Sequence, residues 1–594
     1  MGERFAACVG LMAMVSVSAC AAKTPPPQPA SAARAVNAGA VAVAAAIPSG
    51  PPVALIPAAA ARGYLLGSVS IGSVDRLFEN AARLVGQAVP LPMDAKGLRD
   101  MLLTQAGLPT DVAASLDFAS PTGAAVVAIG DKGESGTVIA VPAKGPVEAQ
   151  RVIDALGKPI MVRGAVVLVR SANSGSGWLY RSGNIVVLSD ELEALARGAM
   201  LALEARRAGP DDLTATFFPD AIAHAHGTDV KTAIAHALQA AREQRKGATG
   251  PAMDERSLEP VGELAGLVGD ATRAELGLTA DPARGLVLRV RLAAKPGTQL
   301  EAVAREVRPF ELDPAVSGDK PSRFMVFSTS LGPFWHGTFA KYRERLAADK
   351  GKGAAAALAY YDATLAALAG QTSGAMWLLK DEPHLAGAFT SPLKDAAAAA
   401  NVSAAMAKLD GPALSAFVRA QIGDVQPFDI SAKKETVGKL KTIHYRIKMK
   451  NTGAEKEAVR KFFGGEMDVY GAVAGTRAVV TLGHAAKARL VTLASGKAVE
   501  AEKTGSLADA TAAAKGRDGF YYLDLAPLLA MVGRLSDEPR MAMLARNGGS
   551  PIPVVVTAGG DGAGKQWSSD LTVTVAAFSS IGALVAGSMG APAK

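Results

Sequence analysis

Apolar positions in this chain fall into short runs, and polar turns join the runs in pairs. Thr122-Gly123 opens AAVVAIG, the turn DKGES follows, and GTVIAVP completes the pair. Lys144 then leads into VEAQRVIDAL, whose apolar positions recur with helical spacing. Ser373-Gly374 opens the same order: AMWLL, the turn KDEPH, LAGAFTSP, then Lys394 and the helix AAAAANVSAAMAKL. Between Lys439 and Lys450 the alternation is strict. Ile443, Tyr445, Ile447 and Met449 point one way, and His444, Arg446, Lys448 and Lys450 the other. Adjacent strands joined by short turns predict antiparallel pairing, and helices after the hairpins predict cover for one sheet face. The expected class is α+β.

The order recurs on both sides of these hairpins. YLLGSVS from Tyr64 matches FMVFSTS from Phe324, and LTATFFPDAIAHAHG from Leu213 matches GFYYLDLAPLLAMVG from Gly519. TRAELGLTADPARGLVLRVRL matches PIPVVVTAGGDGAGKQWSSDLTVTV, both strand, Gly-containing turn, strand. The expectation is a tandem repeat, residues 63–310 and 322–594, joined through RPFELDPAVSGDKPS. SLDFASPTGAAVVAI, GTVIAVPAK and RGLVLRVRLAAKPGTQLEAVA resemble an uncharacterised family of secreted, myxobacterial-type proteins with a domain of unknown function. That resemblance implies an architecture and carries no catalytic residue.

The N-terminus reads as an address. Arg4 precedes an apolar run from Phe5 to Val17, too short to span a bilayer, and Val17-Ser18-Ala19-Cys20 closes it. This is the form of a bacterial lipoprotein signal, residues 1–19, cleaved before a cysteine that is then acylated. Cys8 lies within the removed segment, so Cys20 is the one thiol of the mature chain. Ala21, rather than aspartate, matches the pattern for outer-membrane delivery in place of inner-membrane retention. Residues 20–62, rich in Pro and Ala, read as a disordered tether reaching roughly 35 Å.

Composition adds limits. The 594 residues carry a net charge of +8, too modest for the size to argue for nucleic acid. Lipid, not a helix, would hold the protein at a membrane.

Candidate chemistry thins out on inspection. Gly559 to Lys565 fits a phosphate-cradling GxxxxGK, but Gln566 follows where Ser or Thr belongs, and strands flank it where a helix is required. Ser391-Pro392-Leu393-Lys394 and Lys503-Thr504-Gly505 match two serine acyl-transferase motifs without the third. His224, His226, His236 and Asp220 offer too few ligands on one face for a metal, so neither metal nor cofactor is expected. Phe334, Trp335, His336 and Phe339 belong to the densest aromatic stretch, running from Phe324 to Tyr342, and are the candidate ligand groove. His444, Arg446, Lys448 and Lys450 are the candidate contact for an anionic surface, lipid headgroup or cell-wall polymer. The expectation is a non-enzymatic envelope lipoprotein that binds or scaffolds, facing the periplasm or the exterior, with a hydrophobic or anionic ligand. The alternative is an envelope hydrolase whose site is assembled from dispersed residues.

Overall fold

The computed structural model describes residues 47–88, 94–105, 110–130, 133–171, 175–207, 209, 211–229, 232, 266–306, 308–313, 316, 323–330, 336–379, 384–422, 428–449, 465–495, 505–535 and 550–581. Contacts divide the chain into two compact units. The first takes in residues up to 83, 91–250 and 271–280, and the second takes in 84–90, 251–270 and 281 onward. The division falls between Ala280 and Asp281, whereas the sequence expectation puts the repeat join in 311–321. The reason is strand pairing: Gly285 to Ala293 run antiparallel to Gln566–Thr574 and belong with the second unit.

The first unit contains β1 (Leu65–Ile71), β2 (Thr122–Ile129), β3 (Glu134–Pro142), β4 (Lys158–Arg163), β5 (Val166–Ser171), β6 (Gly175–Ser182), β7 (Ile185–Ser189), β8 (Leu213–Phe217) and β9 (Ala271–Asp281). They hydrogen-bond in the order β9-β8-β1-β2-β3-β7-β6-β5-β4, antiparallel throughout. The second unit contains β10 (Gly285–Ala294), β11 (Arg323–Ser330), β12 (Gln371–Leu378), β13 (Leu385–Pro392), β14 (Phe428–Val437) and β15 (Leu440–Met449). β16 (Glu466–Ala474), β17 (Arg477–Gly483), β18 (Gly519–Asp524), β19 (Pro553–Gly560) and β20 (Gln566–Thr574) complete it. Its order is β10-β20-β19-β18-β11-β12-β13-β17-β16-β15-β14, again antiparallel.

In each unit helices lie against both faces of the strands, a correction to the single covered face expected. In the first unit Ala125, Val127, Val138 and Ala140 pack with Leu195 and Ala199 of the helix Leu192–Ala205. Their strand neighbours Ala124, Ile139 and Val141 pack oppositely, with Val152 and Ile153 of the helix Pro146–Leu156. The strands are apolar at successive positions, so a single layer of helices would leave half of that surface in water. The second unit repeats the arrangement. Ala375 and Trp377 meet Leu490 of the helix Ala486–Ala494. Leu378 meets Met531 of Leu525–Leu535, while Ile443 and Tyr445 meet Ala413 and Ala416 of Gly411–Ile422.

Residues 47–62, expected to end a disordered tether, instead take an ordered path. From residue 47 the chain lies against the first unit, with Gly50 N donating to Val162 O at 2.9 Å and Ile56 N to Ala196 O at 2.9 Å. Val53, Leu55 and Ile56 add apolar surface to the core there, and Ala61 is fully buried within it. These side chains give a proline-rich segment enough burial to hold one path.

Candidate functional site

Cys20, Phe334, Trp335 and Lys450 fall outside the described residues, as do His236, Lys503 and Thr504. His336 opens the helix His336–Ala348. From that helix Phe339 gives its carbonyl to Tyr361 Oη at 3.0 Å, and Tyr342 Oη donates to Phe417 O at 2.9 Å. The Tyr342 ring stacks on Phe417 with centroids 6.4 Å apart. Phe339 and Tyr342 therefore pack helix on helix, while Phe324 and Phe327 of β11 pack at the sheet, Phe327 stacking on Tyr521 with centroids 5.9 Å apart.

β15 departs further from expectation. His444 is only 4 % exposed; it lies flat on Tyr470, ring centroids 4.3 Å apart, and its Nε2 is 2.7 Å from Asp468 Oδ1. Arg446 is exposed but pairs with Glu466 at 2.6 Å and Asp468 at 3.3 Å. Lys448 is exposed. His444 is thus removed from the proposed anionic contact, because the helix Ala486–Ala494 covers the sheet face it occupies.

The other motifs resolve locally. Gly559 to Lys565 is the β19–β20 hairpin, and Asp561 Oδ1 accepts from Ala563 N and Lys565 N, both at 3.1 Å. Ser391 Oγ is 2.9 Å from Thr372 Oγ1, while Lys394 Nζ donates to Ala366 O at 2.6 Å, so the pair is not poised for acyl transfer. His224 and His226 are exposed at the end of the helix Pro219–His226. Among the described residues no three metal-ligating side chains gather, and no helix is long and apolar enough to cross a membrane.

The feature that sequence reasoning missed is a cleft of about 290 Å³ in the second unit. Arg308, Pro309, Glu311 and Asp313 form one wall, and Gly370, Gln371, Ser373, Thr390, Pro392 and Arg477 form the remainder. The wall 308–313 is pinned by sheet side chains. Phe310 stacks on Phe520 at 4.9 Å. Gln371 Nε2 donates to Arg308 O, and to Asp518 O at 3.0 Å, while its Oε1 accepts from Glu311 N at 2.9 Å. Ser373 Oγ, buried, donates to Glu311 O at 3.1 Å. Thr390 Oγ1, also buried, donates to Asp313 Oδ2 at 3.1 Å, and Arg477 closes an ion pair on the same oxygen. Arg308 pairs with Glu306 at 3.1 Å.

Beside this wall, burial pushes the Asp518 carboxyl above the usual carboxylate range. Donation from Gly560 N and Arg308 N and the nearby Arg517 charge oppose that rise. A buried, hydrogen-bonded floor with guanidinium and carboxylate groups at its rim is suited to holding a small charged molecule. The Ser373 and Thr390 hydroxyls already donate within the protein, to Glu311 O and Asp313 Oδ2. Compared with protein-family models, curated proteins and solved structures, the chain matches none.

Proposed function

We propose that this chain is a lipid-anchored binding module of the bacterial cell envelope, its body two diverged copies of one α/β/α unit. Cys20 is the acylation point, a membrane the partner, and the outer membrane the favoured address.

Shared register supports the duplication. Asp212 and Asp518 each precede the strand beside β1 or β11, and each accepts from one backbone N–H on the next strand over, Ala280 at 3.0 Å and Gly560 at 2.8 Å. Lys144 and Lys394 likewise donate to Ala114 O and Ala366 O at 2.7 and 2.6 Å. Isolated bridges Leu116–Ala143 and Leu368–Leu393 accompany them. Gly123 lies opposite Ala140 as Ser373 lies opposite Thr390, so the copies align one residue away from the Thr-Gly/Ser-Gly match read from sequence.

The observation that carries the binding function is a divergence at this shared place. In the first unit Pro142 faces Ile185, and the fully buried Ala140 faces Val187. Val53, Leu55 and Ile56 pack against that core. In the second unit Pro392 faces Arg477 and Thr390 faces Val479, with the cleft above. One copy has an apolar filling where the other has a charged, open site. Partly exposed guanidinium and carboxylate groups gathered over hydrogen-bonded hydroxyls, where the first unit is apolar, offer polar partners that a ligand can use.

The test has two arms. Processed wild-type protein should partition with membranes, and Cys20→Ala should be soluble or unprocessed; a processed, membrane-bound variant would overturn the anchor. Small molecules released from purified protein by denaturation should reproducibly include a species that Arg477→Ala fails to retain. Identical extracts from both proteins would remove the support for binding.

A further inference from the structure

We propose that the cleft of the second unit takes a small zwitterion, with a carboxylate or phosphate and an ammonium a few bonds apart. This rests on the binding reading and gives it a ligand class. The rim carries two guanidiniums, Arg308 and Arg477, and two carboxylates, Glu311 and Asp313. Each guanidinium is held by a carboxylate, Arg308 by Glu306 at 3.1 Å and Arg477 by Asp313. Asp313 is in turn held by Thr390, and its backbone N donates to Ser373 Oγ at 3.3 Å. Guanidiniums oriented in this way keep donors for a planar anionic group, and their fork matches carboxylate or phosphate geometry.

Glu311 completes the selection. Its backbone is clamped by Gln371, Ser328 and Ser373, while the residue itself is exposed at the rim. The four charged residues of the lining carry two charges of each sign, and Glu306, which holds Arg308, stands outside the lining. A simple anion meets Glu311 and Asp313 as like charges, and a simple cation meets the two arginines. An apolar guest would take water from all four without replacing its hydrogen bonds. A molecule with both charges satisfies both sides. At about 290 Å³ the cleft is just under the range of ligand pockets, about 300–1,000 Å³, which suits an amino acid, a dipeptide or a phosphoethanolamine group.

The experiment is calorimetric titration of the intact chain with L-alanine, L-glutamate, alanyl-alanine and phosphorylethanolamine, with acetate, ethylamine and glucose as controls. At least one zwitterion should bind about tenfold or more tighter than either single-charge control, a gap of about 1.4 kcal/mol. Glu311→Gln and Arg308→Gln, both at exposed positions, should each weaken it about tenfold with an unchanged melting temperature. Binding of the amino acids or dipeptide identifies a carboxylate ligand, and binding of phosphorylethanolamine alone identifies a headgroup; both support the class. Equal binding of acetate or ethylamine, or indifference to both substitutions, overturns it. If glucose alone binds and needs Arg308 or Arg477, the class fails and the binding reading stands. If nothing binds and denaturation releases no small molecule, both fail.

Discussion

His444 Nε2 and Asp468 Oδ1 lie 2.7 Å apart across β15 and β16, with the imidazole stacked within 3° of parallel on Tyr470. Arg446 reaches the same carboxylate from the next outward position at 3.3 Å. Two residues that the β15 alternation assigns to a basic surface are thus engaged by acids that β16 brings alongside. His444 Nδ1 is buried without a partner, so Asp468 is the contact that anchors the ring.

Asp468→Ala should therefore destabilise the second unit by about 1–3 kcal/mol at neutral pH, the cost of leaving a buried polar group unsatisfied. The pH dependence follows from the carboxylate. Burial raises its pKa, but the hydrogen bonds and charges of His444 and Arg446 outweigh this and hold it below the usual range. A depressed folded-state pKa gives stability that is present above the unfolded value, about 3.9, and lost as pH falls through the folded one. The gap between wild type and variant in urea unfolding should be full at pH 7 and shrink below about pH 4. A gap constant down to pH 2 would show that the carboxylate charge contributes nothing.

What could be read from sequence followed from local signals. The hairpins at 122–142 and 371–392, the helices after them and the phosphate-loop lookalike at 559–565 depend on turn residues and short-range periodicity, and all take the expected form. Helices on both faces were legible in principle, since AAVVAI and TVIAVP lack the alternation of a half-wet strand. The cleft was not. Arg308, Glu311 and Asp313 sit in a segment whose Pro, Gly and charge read as linker, and only long-range contact with Gln371, Ser373 and Arg477 makes it a wall. Its one sequence signal, if the two units are the copies proposed, is Ser373 opposite Thr390 where the first unit has Gly123 opposite Ala140.

Ala485 is the one non-glycine residue with positive φ among the described residues, at φ 53° and ψ 24°, just before the helix Ala486–Ala494. A Cβ in that conformation costs about 1–2 kcal/mol, partly offset by the greater unfolded-chain entropy of glycine, about 0.4–1 kcal/mol. Ala485→Gly should raise stability by about 0.5–1 kcal/mol in chemical denaturation. A loss of stability would mean that the helix needs Ala485 for its packing.

Ser391 and Lys394 have their partners in Thr372 and Ala366 O. Neither wild type nor Ser391→Ala should be labelled by a fluorescent penicillin, and the substitution should cost about 0.5–1.5 kcal/mol through the lost Thr372 bond. Labelling of wild type that Ser391→Ala abolishes would restore the acyl-transferase reading that this geometry disfavours.

Asp212 and Asp518 give the proposed duplication its most local test. Asp518 Oδ1 and Oδ2 accept from Arg308 N and Gly560 N at 3.1 and 2.8 Å. Asp212 accepts from Ala280 N at 3.0 Å and also from Arg76 Nε at 3.0 Å. If the two hold the same structural office, Asp518→Ala should speed amide exchange at Gly560 and Arg308 and leave Ala280 protected. Asp212→Ala should expose Ala280 and leave Gly560 unchanged. Each should cost about 1–3 kcal/mol, Asp212→Ala somewhat more because Arg76 also loses its partner. The double variant should be close to additive, since neither carboxylate shares a hydrogen-bond partner with the other. Strong exchange at Gly560 in Asp212→Ala would show instead that the two strand ends act as one coupled element.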